Sequence, residues 1–255
     1  MNNTRSVETL RTCFEKPGMS PGTFLGLASS SAIEVAGLAG CEWVLLDLEH
    51  GGGTLEQVGP SVQAANAAGV GLVVRVPKPE RSTIGWVLDQ GVAGVMLPRI
   101  ESAEEAREYA SYFDYPPTGQ RGVASYTRSA GWGSHSVRST ARGLCIVQIE
   151  TAGAMSELSD IAALEGIDSL FIGPLDLSFA LGVPEDMDSP VFTEAFAEVV
   201  KEGHAHNLSV GSLISDPARI PFMQQNGIDY LSLGSDALAL RRGLSAQVAA
   251  VMTGN

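Results

Sequence analysis

The chain has 255 residues, of which 44% are hydrophobic, and 16 basic against 29 acidic residues give a net charge of −13 at pH 7. That length suits one large domain, and α/β barrels reach about this size without a second core. The negative charge argues against nucleic acid and anionic membranes as partners. The cysteines (Cys13, Cys41 and Cys145) lack CxxC spacing, and no signal peptide or membrane-spanning run is visible, so we expect a reduced, cytoplasmic protein.

Short apolar runs alternate with helix-like segments along the chain. The runs predicted as strands are Thr23–Ala28, Trp43–Leu48, Leu72–Val76, Gly94–Pro98, Leu144–Ile149, Leu170–Ile172, Ser209–Ile214 and Tyr230–Leu233. Capping-box patterns such as Thr54-x-x-Gln57 and Ser102-x-x-Glu105 mark helix starts between them. Eight strands alternating with helices favour an α/β fold of the (β/α)₈ TIM-barrel type. A doubly wound open sheet is the alternative, because a strand count cannot prove closure.

Polar residues follow the second and third predicted strands. Asp47 and Glu49 lie on one face of the second strand by its period of two, and His50 comes at the turn before three glycines. A histidine oriented by Asp47 is suited to general acid–base chemistry, although a plain turn residue is the simpler interpretation. Arg75, inside an apolar strand, needs a carboxylate partner, either Asp47 or a substrate. Asp89, at a helix end, is interpreted as a supporting acid or simply as a polar residue.

The connection of residues 114–143 breaks the alternation and shows little periodicity. Connections of this length are usually functional or disordered. It contains four arginines but no acid after its first residue, a local excess that suggests an anionic ligand or an acidic patch on another subunit. For Arg138 and Arg142 a solvated arm that contacts other subunits is the preferred interpretation. Arg121, in a tight turn, is the better ligand candidate.

Two further acids end the fifth and sixth predicted strands, at Glu150 and Asp176. In a βαβ unit both fall at the carboxyl ends of neighbouring strands, where α/β folds carry their chemistry. A divalent cation relieves the repulsion between two such acids, but both could equally be helix caps. No lysine stands convincingly at a strand end, so a Schiff-base mechanism lacks a nucleophile.

The motifs LLDLEHG, VVRVP, VLDQGVAGVMLPRIESAEEA, YPPTGQRGVAS, IVQIET and FIGPLDLS occur in this order. Together they resemble the HpcH/HpaI aldolase family of metal-dependent class II pyruvate aldolases, relatives of citrate lyase β. The resemblance covers about residues 23–244. It implies a carbon–carbon lyase that cleaves and forms 4-hydroxy-2-oxo acids, with a 2-oxo acid such as pyruvate and an aldehyde as partners. It also implies a homohexamer, a trimer of dimers, in which the final helix (about residues 236–252) of each single-domain subunit packs on a neighbour.

The resemblance also implies residue roles. Glu150 and Asp176 would hold Mg²⁺, Mn²⁺ or Co²⁺, which chelates the 2-oxo acid. Arg75 would stabilise the enolate oxygen, and His50, oriented by Asp47 and backed by Asp89, would be the base. The remaining substrate-binding positions are Gln148, beside the metal site, and the segment of Gly173, Pro174 and Leu175, where the backbone N–H groups around Gly173, Leu175 and Asp176 would receive the carboxylate. Leu175 and Leu213 would line the mouth.

The chain departs from the family pattern after the EH motif, where Gly-Gly-Gly replaces the usual Ala-Pro-Asn type of sequence. Less side chain is then left around the aldehyde. The alternatives are a lyase acting on acyl-CoA thioesters, as in the citrate lyase branch, and a decarboxylase that forms an enolate. A catalytically silent barrel that binds a small acid is the non-enzyme alternative.

Overall fold

The computed structural model describes residues 3–253, with side chains from residue 5 onward, and contains a closed barrel of parallel strands. The strands are β1 (Ser20–Leu25), β2 (Trp43–Asp47), β3 (Gly71–Arg75), β4 (Gly94–Leu97), β5 (Leu144–Ile149), β6 (Ser169–Ile172), β7 (Ser209–Leu213) and β8 (Tyr230–Ser235). Each strand pairs in parallel with the next, and β8 pairs with β1. The predicted (β/α)₈ barrel is confirmed, and the open sheet is excluded.

Helices cover the outside of the barrel. Within residues 3–253 they are α1 (Asn3–Glu15), α2 (Ser30–Leu38), α3 (Val58–Ala68), α4 (Arg81–Asp89), α5 (Ala103–Ala110), α6 (Ala152–Ser156), α7 (Leu158–Ala162), α8 (Pro174–Ala180), α9 (Pro190–Ala205), α10 (Ile220–Gln225) and α11 (Asp236–Thr253). Strands β2 to β6 are buried along their whole length. Helices cover their outer face and side chains fill the interior, which explains their continuous apolar sequences.

Helix α1 closes the amino-terminal end of the barrel, a role that the sequence did not predict. Phe14 of α1 stacks on Tyr230 with ring centroids 3.6 Å apart, and it meets Trp43 edge-on at 5.8 Å. Leu10 packs against Gly71 and Gly94, at the starts of β3 and β4. Because this end is filled by side chains, a ligand has access to the interior only from the carboxyl ends of the strands.

The connection of residues 114–143 is anchored to the barrel rather than forming a solvated arm. Arg142 donates hydrogen bonds to Asp114 at 3.0 Å, to Asp168 and to the carbonyl of Gly166. Its guanidinium also lies 5.3 Å from the centre of the Phe113 ring. The preferred interpretation of Arg142 was therefore wrong, since it braces the connection within its own chain. Arg138 is exposed.

Helix α11 begins directly after β8 and has no buried residue. Its contacts with its own barrel are mainly with β1 and β8, and Asp236 in its first turn accepts the main-chain N–H of Gly26 at 2.8 Å. The apolar side chains that it exposes are Leu240, Leu244, Val248, Val251 and Met252. No described helix is both long enough and apolar enough to cross a lipid bilayer.

Candidate active site

Arg75 and Asp47 form a bidentate pair at the carboxyl ends of β2 and β3. The strand register places the two residues opposite each other, and both are buried. Arg75 Nε donates to Asp47 Oδ1 at 2.9 Å, and Nη2 donates to Oδ2 at 2.7 Å. Burial opposes ionisation of Asp47, but the hydrogen bonds and charge of Arg75 outweigh it and hold the pKa of Asp47 below its usual value. Arg75 was expected to pair either with Asp47 or with a substrate, and in the structure it pairs with Asp47.

The remaining guanidinium nitrogen of Arg75, Nη1, faces other site residues. It lies 3.5 Å from Gln148 Oε1 and 3.2 Å from Glu49 Oε2. The Phe24 ring packs against the guanidinium, with its centroid 5.2 Å from Cζ. An anionic oxygen beside Nη1 would therefore meet a positive charge that is buried and fixed in direction, which is the arrangement of an oxyanion-type donor.

His50 projects from the loop after β2, and its side chain is 68% exposed. The structure corrects the prediction that Asp47 orients its ring. Both carboxylate oxygens of Asp47 bind Arg75, and Oδ1 also accepts the main-chain N–H groups of Glu49 at 3.0 Å and His50 at 3.3 Å. Asp47 therefore fixes the backbone of this loop. The acid nearest the ring is Glu49, whose Oε1 lies 3.8 Å from His50 Nε2.

Strand β5 delivers Gln148 and Glu150 to the same face, two residues apart. Glu150 Oε1 accepts the Arg99 main-chain N–H at 2.8 Å, and Oε2 accepts a hydrogen bond from Gln148 Nε2. Burial, together with the charges of Asp176 and Glu49, raises the pKa of Glu150 to about 7. Glu150 is not a helix cap, because Thr151 caps α6 by accepting the N–H of Ala154 at 3.0 Å.

The end of β6 brings Gly173 against Glu150 and starts α8. A Cβ on Gly173 would lie 2.6 Å from Glu150 Oε2, so the close approach requires a glycine. Pro174 is buried, while Leu175 and Asp176 are exposed in the first turn of α8. The N-cap residue of α8 is Gly173, so Asp176 lies inside the first turn and does not hold the cap position, and its charge raises the pKa of Glu150. Neither Glu150 nor Asp176 therefore holds an N-cap position, and their interpretation as helix caps was wrong.

The balance of charge in this site fits a divalent cation. Asp47, Glu49 and Glu150 interact with one buried guanidinium, that of Arg75, and Asp176 adds a further negative charge that acts on Glu49 and Glu150. Glu49 Oε2 is buried and accepts no hydrogen bond. No group of three or more His, Cys, Asp or Glu residues in the described chain is arranged to hold a metal by itself. Ions such as Mg²⁺ are often held by one or two carboxylates and complete their shell with water and substrate oxygens, so Glu150 and Asp176 fit that role.

Asp89 and Arg121 form a separate ion pair at the end of α4. Arg121 Nη2 donates to Asp89 Oδ1 at 2.8 Å, and the buried Arg121 guanidinium stacks on Tyr115 at 4.8 Å. Asp89 also lines a groove of about 330 Å³ between α4 and the long connection, a groove that His50 does not line. Among the described residues Asp89 pairs with Arg121, and no hydrogen bond or ion pair joins it to the His50 of its own chain. Arg121 is a buried brace, which corrects its interpretation as a ligand candidate.

Leu175 and Leu213 line one cavity of about 240 Å³ between the segments that follow β6 and β7. Most of its other lining is apolar, and two charged residues contribute: Asp216 and Arg219. The two leucines predicted at the mouth therefore lie together.

Sequence reasoning gave no role to two groups of this site. Glu49 could have been found, because the period of two places it on the Asp47 face of an apolar strand. No sequence pattern indicated that the main-chain N–H of Arg99 would bind Glu150. It reaches Glu150 because Arg99 adopts a left-handed conformation with φ 54°, an uncommon backbone state for a residue other than glycine.

Comparison with known proteins agrees with this geometry. The family model of HpcH/HpaI aldolase/citrate lyase matches residues 21–242. A 2-keto-3-deoxy-L-rhamnonate aldolase of Klebsiella pneumoniae is 33% identical over 232 residues, which are 89% of this chain and 87% of that protein. An HpcH/HpaI aldolase/citrate lyase family protein from Burkholderia cenocepacia has a TM-score of 0.90 and 30% identity, covering 96% of this chain and 99% of its own. An HpcH/HpaI aldolase from Desulfitobacterium hafniense has a TM-score of 0.85 and 26% identity, covering 96% and 95%. The chain therefore belongs to the HpcH/HpaI aldolase/citrate lyase family, and it is a carbon–carbon lyase of the aldolase type.

Proposed function

We propose that this lyase cleaves and forms 4-hydroxy-2-oxo acids, with pyruvate or a related 2-oxo acid and an aldehyde as the smaller partners. The proposal is supported by three groups that lie at the same end of the barrel. The guanidinium of Arg75 is buried, and Glu150 and Asp176 are acids suited to binding a cation. The imidazole of His50 is exposed on the loop after β2. The name of the Klebsiella relative supports a 2-keto-3-deoxy acid as the substrate class.

Glu150 and Asp176 would hold Mg²⁺, Mn²⁺ or Co²⁺, which when bound supplies Lewis-acid polarisation of the substrate's keto oxygen. Gln148 fixes the Glu150 carboxylate through its hydrogen bond. The substrate carboxylate is received by the main-chain N–H groups of Leu175 and Asp176, which have no intrahelical partner in the first turn of α8. The N–H of Gly173 does not contribute, because it donates to the carbonyl of Ile149 at 3.2 Å.

His50 and Arg75 then divide the chemistry of cleavage. His50 accepts the proton of the C4 hydroxyl as the C3–C4 bond breaks, and the aldehyde leaves. The electron pair of that bond passes into the enolate of the 2-oxo acid, whose oxygen lies beside Arg75 Nη1. Return of one proton to C3 gives pyruvate. Each residue acts where charge appears during the reaction, which is where fixed charges accelerate it.

The assembly that we propose is a homohexamer, a trimer of dimers, in which α11 packs on a neighbouring subunit. The absence of buried residues along α11 and its row of exposed apolar side chains support this packing. Because Asp89 pairs with Arg121 and makes no described hydrogen bond with its own His50, we propose that it supports the His50 of another subunit. The free cysteines, two of them buried, support a cytoplasmic location.

The acyl-CoA alternative is disfavoured by the arginines of the long connection. Arg121 and Arg142 are bound to acids of their own chain, and Arg128 stacks on Trp132 at 5.5 Å. Binding of an adenine nucleotide phosphate needs free cations, and two of the four arginines are already paired with acids.

The test is pyruvate release from several 4-hydroxy-2-oxo acids, among them 2-keto-3-deoxy-L-rhamnonate. We expect no turnover after treatment with EDTA and recovery with Mg²⁺, Mn²⁺ or Co²⁺. Turnover that survives complete chelation contradicts the cation's role. No turnover on any substrate with the cation present favours the silent barrel.

His50→Ala tests the base. We expect the variant to lose aldol cleavage but still to exchange the methyl protons of pyruvate slowly in D₂O, because enolate formation does not require the hydroxyl proton to be removed. Unchanged cleavage would contradict the role of His50. His206→Ala, at an exposed histidine beyond α9, is the matched control and should behave as the wild type.

A further inference from the structure

Glu49 is a mostly buried acid to which the proposed mechanism assigns no role. Its side chain is 10% exposed, and it lies two residues beyond the end of β2. Glu49 Oε2 is 3.2 Å from Arg75 Nη1, and Glu49 Oε1 is 3.8 Å from His50 Nε2. One carboxylate therefore spans the guanidinium proposed for the enolate and the imidazole proposed as the base.

The loop that carries Glu49 is fixed on several sides. Asp47 Oδ1 accepts the main-chain N–H groups of Glu49 and His50, and the N–H of Leu48 donates to the carbonyl of Arg75 at 3.0 Å. The chain then turns so closely past the Asp47 carbonyl that a Cβ on Gly51 would collide with it. The position of the Glu49 backbone therefore does not depend on its own carboxylate.

The contacts of Glu49 are poor as a stabilising ion pair. Glu49 Oε2 is buried and makes no hydrogen bond within the described residues. Arg75 is already paired with Asp47 through two hydrogen bonds of 2.9 Å and 2.7 Å. A second buried carboxylate with an unsatisfied oxygen costs free energy. Burial and the charges of Asp47 and Asp176 accordingly raise the pKa of Glu49, although Arg75 and His50 oppose the shift.

We propose that Glu49 is a positioning residue that directs Arg75 Nη1 toward the enolate oxygen and holds the His50 ring near the C4 hydroxyl. The inference rests on the proposed aldol reaction and adds a residue to it. Asp47 holds Nε and Nη2 of the guanidinium, so the contact with Glu49 sets the direction of the nitrogen left for substrate. The same carboxylate lies beside the imidazole that receives the proton, and it therefore stabilises the protonated ring as cleavage proceeds. Catalytic contacts of this kind are often long before substrate binds.

The test compares Glu49→Gln and Glu49→Ala in the full chain. Glutamine keeps the shape and one acceptor oxygen, whereas alanine removes both. Glu80→Gln is the matched control, because Glu80 forms an exposed ion pair with Lys78 at 3.2 Å. Three quantities are measured: the melting temperature of the metal-free protein, the rate of pyruvate methyl proton exchange with the cation present, and kcat and KM for cleavage.

We expect metal-free Glu49→Gln to melt at or above the wild-type temperature, because an unsatisfied buried charge is removed. Exchange and kcat should both fall by at least about ten-fold, with KM changed by less than about two-fold, since orientation and not binding is lost. Glu49→Ala should be slower than Glu49→Gln, and Glu80→Gln should match the wild type.

Three results overturn the proposal. A melting temperature of Glu49→Gln lower by more than about 2 °C would make Glu49 a structural ion pair. Rates within about two-fold of wild type would remove any positioning role. A fall in the rate of cleavage with an unchanged rate of proton exchange would mean that Glu49 acts on His50 alone and does not direct Arg75. If the wild-type protein with cation neither exchanges nor cleaves, the aldol function itself fails, and the melting comparison still decides whether Glu49 is a structural ion pair.

Discussion

Gly173→Ala perturbs the Glu150 carboxylate without changing any charge. Gly173 has φ −86° and ψ 90°, a conformation open to alanine, so the effect of the substitution is steric rather than backbone strain. The added Cβ would lie 2.6 Å from Glu150 Oε2 and 2.7 Å from Gln148 Nε2, where an ordinary contact begins at 3.4 Å. The methyl group therefore displaces the carboxylate by about 0.8 Å if the backbone holds.

The displacement acts on a carboxylate that has little freedom to adjust. Glu150 Oε1 is held by the Arg99 N–H at 2.8 Å, and Oε2 is bound by Gln148. Misplacement of a reacting or coordinating group by about 1 Å costs on the order of 100-fold in rate. We therefore expect Gly173→Ala to lower kcat/KM for cleavage by about that factor and the affinity for Mn²⁺ by about 10- to 100-fold, since the orientation of the Glu150 carboxylate is changed.

Calorimetric titration of metal-free protein with Mn²⁺ measures the first quantity, and pyruvate release measures the second. Gly59→Ala is the matched control, because its Cβ would meet only the side chain of Gln90 at 3.4 Å. Wild-type affinity and turnover in Gly173→Ala would refute the placement of the cation against Glu150. Equal losses in both variants would point to a general effect of adding a methyl group.

Two further substitutions test the Arg75 pair. Arg75→Lys keeps the charge but loses the bidentate contact with Asp47 and the packing against Phe24. We therefore expect kcat to fall by about 100-fold with a much smaller change in KM. A kcat equal to that of the wild type would contradict the role of Arg75 in stabilising the enolate. Asp47→Asn should lower the stability of the metal-free protein by about 3 kcal/mol near neutral pH. Because the pKa of Asp47 is lowered from 3.8, its contribution is present above that pH and is lost as pH falls through the folded value. The difference in melting temperature between wild type and variant should therefore shrink below pH 3.8, and a constant difference would contradict the argument.

The acids at the strand ends were predictable because strand ends and the period of two are local features. Glu150 and Asp176 follow apolar runs, and the same pattern marked Asp47 and His50. Their partners were predictable only in part, because Asp47 was one of two partners expected for Arg75. Asp47 binds Arg75 rather than the His50 ring because the β2–β3 register sets the two residues opposite each other. That register relates residues remote in the chain.

Packing between distant segments also decided the roles of the arginines. Arg121 and Arg142 looked alike as members of a basic connection, yet both are bound to acids of their own chain. Asp89 lies in a groove formed with residues about forty positions later in the chain and pairs with Arg121. A local charge excess does not indicate which charges are already paired.

The sequence by itself determined the eight strands, their alternation with helices, which favoured a barrel, and the set of acids at the strand ends; closure of the barrel was decided by the tertiary structure. Side-chain periodicity and the residues that start and end helices and strands depend on neighbours in the chain, so these features can be predicted from short stretches of sequence. Only the tertiary structure decided that α1 closes the barrel, that Gly173 admits Glu150, and that Glu49 lies between Arg75 and His50. Those outcomes depend on distances between residues that meet only after the barrel has closed.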